Sequence, residues 1–411
     1  MFRISRGKLF AGLDIGSHSV KAVFTEVDHM GKFHVLSLSK GLSSGIKKGN
    51  IINIDAIMAT VNDVITKMEH FCGKDVQETV LAVSGLSIQT IRSHVAVAVT
   101  GEDEVSEQDR QRLLLLARNV AVPEDKSILQ VVEQQYIVDG NRGVKDPVGM
   151  AGRRVELEAL VIIVNTLVIQ NLLKCTAELG LEVLAMVYAP LLGAVGVLSQ
   201  AEQEMGVVLI DLGAQKTEVS IFRHGVMEKS VVFPVGSDNI TWDLAIVLKA
   251  SNEEAQRVKE TEKLLFCDRE TEGRLIQMSS LNGEGEQEVP AWLAARIVMA
   301  RLDEMSQMFS AEIFSEYAPE ELPGGIVLTG GGARMDGIGL YFSQTFHLPV
   351  RIGYPDYTEP VFHDYRGPEN AEVLGSAFYQ YAGMEEERKG LSAPVGKLFR
   401  RVTEWVRDIM E

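Results

Sequence analysis

Two aspartates of this chain stand where a carboxylate and a glycine can act together on a phosphate. Asp14 closes the apolar run Leu9 to Asp14 and is followed by Ile15-Gly16-Ser17-His18; Asp211 closes Val207 to Asp211 and is followed by Leu212-Gly213-Ala214-Gln215-Lys216. A second β-rich run follows each, Ser19 to Val27 and Thr217 to Phe222, so both read as strand, tight turn, strand. A hairpin tipped with glycine can aim successive backbone N–H groups at a phosphate, because glycine permits close approach and positive φ. Asp14 and Asp211 are placed to hold water around Mg²⁺, which keeps much of its hydration and takes few direct protein ligands. A single such turn is more simply a hairpin that needs glycine for its shape. A third motif changes the balance: Gly324-Gly325-Ile-Val-Leu-Thr-Gly330-Gly331-Gly332-Ala333-Arg334, a buried strand ending in three glycines before a helical pattern. Such a backbone suits a flat ligand such as adenine and its ribose, although a strand-to-helix turn also uses glycine. The three motifs in this order point to a nucleotide held between two lobes, while GxxxxGK[ST] and GxGxxG are absent in strand-helix context.

The elements that must carry these groups are legible in part. Aligned on the aspartates, Leu-Asp-Ile-Gly and Ile-Asp-Leu-Gly form a weak internal repeat, so two similar lobes are expected. Ile54, Ile57, Met58, Val61, Val64, Ile65 and Met68 have helical spacing, and Leu81 to Val83 reads as a strand. From Ile88 to Val164 the texture turns β-rich (Ile91 to Val99, Leu129 to Ile137, Val155 to Val164) around one helix, opened by a Ser106-x-x-Asp109 capping box and running through Leu113 to Val120. This reads as an inserted subdomain. Thr241 to about Pro319 is charged and helix-favouring, with a second capping box at Ser251-x-x-Glu254 and the run Trp292 to Phe314. After Gln380 the chain becomes polar and bounded by Gly383, Pro394 and Gly396, the composition of a flexible linker.

The chain of 411 residues with 46% hydrophobic content can bury a sizeable core. Its formal net charge of −17 argues against nucleic acid as a partner, since phosphate backbones are bound by clustered Lys and Arg. Cys72, Cys175 and Cys267 are far apart and form no CxxC pair, and the eight histidines show no HExxH or Cys/His clustering, so neither a disulfide framework nor a zinc site is expected. Arg3, Arg6 and Lys8 lead to Asp14 before any long apolar run, unlike a secretory signal, and the apolar stretch near Ala159 to Ile169 is shorter than the ~20 residues of a membrane span.

The two hairpins and the triple glycine resemble the actin, Hsp70 and sugar-kinase superfamily, and more narrowly the bacterial cell-division family FtsA. The narrower likeness rests on Leu-Asp-Ile-Gly-Ser, Leu81-Ala-Val-Ser-Gly85, Asp146-Pro-Val-Gly-Met-Ala-Gly152, the block at 323–333, Val350-Arg-Ile-Gly353 and a basic amphipathic C-terminus. The fold it implies is a two-lobed α/β actin-like ATPase. Residues 1–83 and 164–205 then form subdomain 1A, 84–163 an inserted SHS2-like 1C, 206–240 and 322–364 subdomain 2A, 241–321 a helical 2B, and 365–383 a return to 1A; 384–396 is a linker. By position, Asp14, Gly16 and Ser17 belong to the first phosphate hairpin and Asp211, Gly213 and Thr217 to the second, with Gly330, Gly331 and Gly332 on the adenosine of ATP. Relatives often have Gly-Gly-Gly-Thr after the second aspartate, whereas here Thr217 falls one place late. Ala189-Pro-Leu-Leu-Gly-Ala offers no Gln or Glu where relatives place one, so no catalytic base is assigned and at most a slow ATPase is expected. Arg296 and Arg301 lie where FtsA-like proteins receive the acidic C-terminal tail of FtsZ; two solvated arginines on a helix face are the equal alternative.

Within 397–411, Leu398, Phe399, Val402, Trp405, Val406 and Ile409 have the spacing of one helix face, and Arg400, Arg401 and Arg407 of the other. At 1.5 Å per residue it reaches roughly 20 Å, enough to lie in an anionic membrane interface but not to cross it. The resemblance thus implies a protein that tethers FtsZ filaments to the cytoplasmic face of the membrane at the division site, forms actin-like filaments with itself and meets other division proteins through 1C. A pilus-assembly scaffold or a small-molecule kinase of the same superfamily is the alternative.

Overall fold

The computed structural model describes residues 8–27, 33–101, 103–265, 273–279, 285–355 and 365–388. The first lobe opens with β1 (Lys8–Ile15), β2 (Ser19–Val27), β3 (Phe33–Leu42), the short hairpin β4 (Ile46–Lys47) and β5 (Asn50–Ile51), α1 (Ile54–Cys72) and β6 (Glu78–Val83). A separate unit follows: β7 (Gln89–Ala98), α2 (Glu107–Ala117), β8 (Lys126–Val138), β9 (Asn141–Val144) and β10 (Arg154–Asn165). The lobe then resumes with α3 (Thr166–Glu178), β11 (Glu182–Tyr188) and α4 (Ala189–Val197). The second lobe comprises α5 (Gln200–Met205), β12 (Val207–Leu212), β13 (Thr217–Arg223), β14 (Val226–Phe233), α6 (Ser237–Leu248), α7 (Asn252–Thr261), β15 (Leu275–Ser279), β16 (Glu286–Pro290), α8 (Ala291–Ile313), β17 (Ile326–Thr329), α9 (Ile338–Phe346) and β18 (Val350–Ile352). Helix α10 (Ala371–Arg388) returns to the first lobe, packing on α4, β1 and β2.

The weak sequence repeat corresponds to a repeated sheet. The first lobe has the order β3-β2-β1-β6-β11 and the second β14-β13-β12-β17-β18. In each, the first three strands form an antiparallel meander and two parallel strands extend the sheet beyond the first strand. Helix α1 shows how the local pattern is realised. Asn53 caps its start by accepting from Ala56 N, Gly73 closes it at φ 62°, and Ile57, Val61, Val64, Ile65 and Met68 are buried against the first sheet.

The inserted unit is an antiparallel sheet, β7-β10-β8-β9, covered by α2. Helix α2 stops at Ala117 rather than Val120, because the chain turns there, Asn119 N donating to Leu116 O, just ahead of helix-breaking Pro123. The Ser106 capping box is complete. Burial pushes the Asp109 carboxyl up, but hydrogen bonds from Ser106 and Thr100 outweigh it and hold its pKa at about 2, against 3.8 ordinarily. Asp109→Ala is expected to destabilise this unit by roughly 3 kcal/mol in urea denaturation at pH 7, through loss of the cap and the buried bonds. Because the folded pKa is depressed, the stabilisation is full above the ordinary carboxylate value and is lost as pH falls toward about 2. The gap between variant and parent should therefore narrow over that interval.

Strand β8 also laces the lobes together. Its Gln130 accepts from Tyr188 N of β11 at 3.3 Å, and its Gln134 donates to the Met227 and Glu228 carbonyls of β14 at 3.0 and 3.1 Å. Tyr188 Oη and Ser230 Oγ lie 2.8 Å apart, joining the two edge strands directly.

Three further expectations are corrected. The Ser251 cap is one-sided: Ser251 accepts from Glu254 N, while the Glu254 carboxylate turns to Arg257 and Ser279 N. The helical subdomain contains a hairpin, β15–β16, whose first strand alternates exposed and buried residues over only five positions, Leu275–Ser279, amid a charged surrounding sequence. The linker expected over 384–396 begins as helix, since α10 continues to Arg388. Residues 389–396 and the amphipathic segment 397–411 lie outside the described residues. Among the described residues, no helix is long and apolar enough to cross a membrane.

Candidate nucleotide-binding cleft

A cleft of about 630 Å³ lies between the lobes, a volume that suits a nucleotide. Asp14, Gly16 and Ser17 line it from the first lobe, and Asp211, Gly213 and Gly330–Gly332 from the second. The hairpin tips are built alike. A Cβ added at Gly16 would stand 2.9 Å from Ser19 O, and one at Gly213 2.8 Å from Lys216 O, so both tips fold back too tightly for a side chain. The second tip is fixed to the start of α6, with Ser237 N donating to Gly213 O and Asp238 N to Ala214 O at 2.9 and 2.8 Å. The β4–β5 turn touches both tips: Gly49 N donates to Ser17 Oγ at 3.1 Å and Lys48 N to Gln215 Oε1 at 2.9 Å. Gly330 leaves β17 at φ 82° and opens the third wall.

Thr217 does not join this set. It is fully buried and its hydroxyl donates to Val235 O at 2.7 Å, because its register opposite Phe233 on β13 turns it into the second lobe. The Ala189 to Ala194 segment is likewise absent from the cleft; α4 buries Ala189, Pro190 and Leu192. Arg301 is chelated, Nε and Nη2 donating to Asp243 at 2.6 and 3.0 Å and Nη1 to Glu304 at 2.6 Å. Arg296 is exposed on the same helix, and among the described residues no ion pair engages it.

Several residues of the cleft escaped sequence reading. Lys21 on β2 pairs with Asp14 Oδ2 at 2.9 Å, both side chains nearly buried. Lys216 pairs with Glu218, which is 1% exposed. Glu372 reaches the cleft from α10, and the carboxylate oxygens of Asp211, Glu218 and Glu372 lie within 4.8 Å of one another. Burial, then mutual repulsion, pushes the Glu372 carboxyl far above the usual carboxylate range, and burial raises Asp211 and Glu218 too. Burial pulls on the ammonium groups of Lys21 and Lys216 in the opposite sense, but Asp14 and Glu218 outweigh it and raise both pKa values. On the far wall, burial lowers Lys259 to about 8, and its Nζ donates to Ser237 O at 3.1 Å. The legible signal was a lone charge within an apolar strand, Val20-Lys21-Ala22 and Thr217-Glu218-Val219. Glu372 gave none, since only the return of α10 brings it here.

Two lobes repeating one sheet order around a cleft of opposed hairpins define an actin-like protein. Solved structures of that fold agree: the PilM-PilN type IV pilus biogenesis complex, with TM-score 0.64, 15% identity and coverage of 90% of this chain and 97% of that one, and MreB5 of Spiroplasma citri bound to ADP, with TM-score 0.57, 14% identity and coverage of 93% and 98%. Within that class, residues 85–163 match the model of the SHS2 domain inserted in FtsA, and 208–375 that of cell division protein FtsA. Cell division protein FtsA of Pseudomonas aeruginosa is 30% identical over 395 residues, spanning 96% of this chain and 94% of the relative; that of Bacillus subtilis is 31% identical over 355 residues, spanning 86% and 80%. The chain belongs to the FtsA family of cell division proteins.

Proposed function

We propose that this actin-like cell-division protein binds ATP with Mg²⁺ in the cleft and tethers FtsZ filaments to the cytoplasmic membrane. The observation that carries the nucleotide half is the facing of two like hairpins across a cavity of nucleotide size, Lys21 paired with Asp14 at the first and Lys216 with Glu218 at the second. Asp14, Gly16, Ser17, Asp211 and Gly213 hold the phosphates; Asp14 and Asp211 hold Mg²⁺ through water; Gly330, Gly331 and Gly332 carry the adenosine. Lys259, bonded to Ser237 O next to the second hairpin tip, adds a cation to the cleft wall. Hydrolysis is slow, since the Ala189 to Ala194 segment, buried in α4, brings no Gln or Glu to the cleft to position a water. Nucleotide then acts by favouring one lobe arrangement through differential affinity. The acidic FtsZ tail docks on α8, where Arg296 offers an exposed guanidinium and Arg301 is already held by Asp243 and Glu304. Other division proteins dock on the inserted unit, copies of the chain assemble into filaments, and residues 397–411 lie in anionic lipid at the division site.

Co-sedimentation of FtsZ with anionic vesicles tests the whole reading. FtsZ is expected to pellet only when this protein is present. Truncation after Gly396, which leaves α10 whole, should abolish pelleting of both proteins, and Arg296→Glu should abolish that of FtsZ alone. Vesicle binding that survives truncation would remove the C-terminal segment as the anchor.

A further inference from the structure

The cleft contains a tight carboxylate cluster, and the chain supplies its own cation for it. Asp211, Glu218 and Glu372 come from β12, β13 and α10, so three separate elements converge on one point, with ligating oxygens within 4.8 Å of one another. Glu218 is 1% exposed, and its Oε1 and that of Glu372 are buried with no hydrogen-bond partner. Three oxygen ligands so close together form a seat for a hard cation. Lys216, at the tip of the same hairpin, reaches back to it: its Nζ bonds Glu218 Oε2, its side chain is only 12% exposed, and the charges of Glu372 and Asp211 also act on it. At the other hairpin the cross-strand partner of Asp14 is itself a lysine, Lys21, where the partner of Asp211 is Glu218.

We propose that the Lys216 ammonium occupies the cation seat formed by Asp211, Glu218 and Glu372, closing it to free divalent metal, so that metal enters the cleft only as the counter-ion of a nucleotide. Lys216 is thus a specificity-determining residue that sets the order of ligand arrival. A lysine is a tethered, strongly hydrated point charge, which suits it to stand in for a hard ion and to swing aside when a phosphate offers a better partner. The inference shares its cleft with the nucleotide reading, yet its test involves no nucleotide, so either can fail alone.

The experiment titrates Mn²⁺ into nucleotide-free, full-length protein and follows bound metal by electron paramagnetic resonance and unfolding temperature by calorimetry. The parent protein and Lys216→Arg, which keeps the charge, are expected to bind no Mn²⁺ below about millimolar concentration. Lys216→Gln and Lys216→Gly are expected to bind it at least about tenfold more tightly and to melt higher when it is added, because the bared carboxylates then gain from the metal. Adding Glu218→Gln to Lys216→Gln should abolish that binding. Parent protein binding Mn²⁺ as tightly as Lys216→Gln would overturn the proposal. So would Mn²⁺ binding in Lys216→Gln that is indifferent to Glu218→Gln.

Discussion

With Lys21 replaced by methionine, affinity for ATP is expected to fall at least about a hundredfold, a loss of roughly 3 kcal/mol. Two effects act together. The ammonium that, on the proposed reading, would face the phosphates at the first hairpin disappears, and Asp14, 4% exposed and bonded to Lys21 at 2.9 Å, is left as a buried, uncompensated carboxylate at the site proposed for a polyanion. Methionine keeps the length and apolar stem of lysine, so the packing of β2 is retained. Titration with a fluorescent ATP analogue measures the change, and a urea melt of the same sample confirms that the lobe is folded. Lys21→Arg, which preserves the charge, should recover part of the affinity. If Lys21→Met binds within threefold of the parent, the phosphates do not lie at the first hairpin.

Gly375→Val is expected to be the most damaging single change for stability, at about 3 kcal/mol or more. Helix α10 crosses α4 almost backbone to backbone: a Cβ built at Gly375 would fall 1.9 Å from Leu192 O, and one at Gly196 on the facing helix 2.4 Å from Ala371 O. Neither obstacle is a side chain that could rotate away, so the helices must separate and strip contacts from both. Chemical denaturation should register a fall in midpoint. Gly273→Ala serves as the control, because among the described residues its Cβ would meet nothing within 4 Å, and it should stay within ~0.5 kcal/mol of the parent. A Gly375→Val midpoint equal to the control's would mean that the crossing is loose.

The strand-turn-strand units at Asp14 and Asp211, the helix over Ile54 to Met68 and the three long strands of the inserted unit were legible because hydrophobic period and glycine placement are local properties. What escaped depends on chain passages that sequence does not order. Glu372 joins the cleft only because α10 returns to the first lobe, and Thr217 leaves it only because of its register on β13. Lys21 and Glu218 stood in plain view as solitary charges in apolar strands, but nothing local says which face of a strand borders a cavity. Arg301 looked available for a partner until Asp243, on another helix, was brought against it.

The grip of β8 on β11 and β14 bears on how copies of this chain can meet. A sheet whose last strand is unpaired recruits foreign strands. Here the outermost strand of each lobe on the inner flank is already occupied by glutamine amides, Gln130 on Tyr188 and Gln134 on Met227 and Glu228. Strand addition is thereby obstructed at those positions, while β3 and β18 stand at the opposite flanks of the two sheets. A second molecule approaching the inner flank at these positions meets side chains, which can be exchanged without unravelling a ladder.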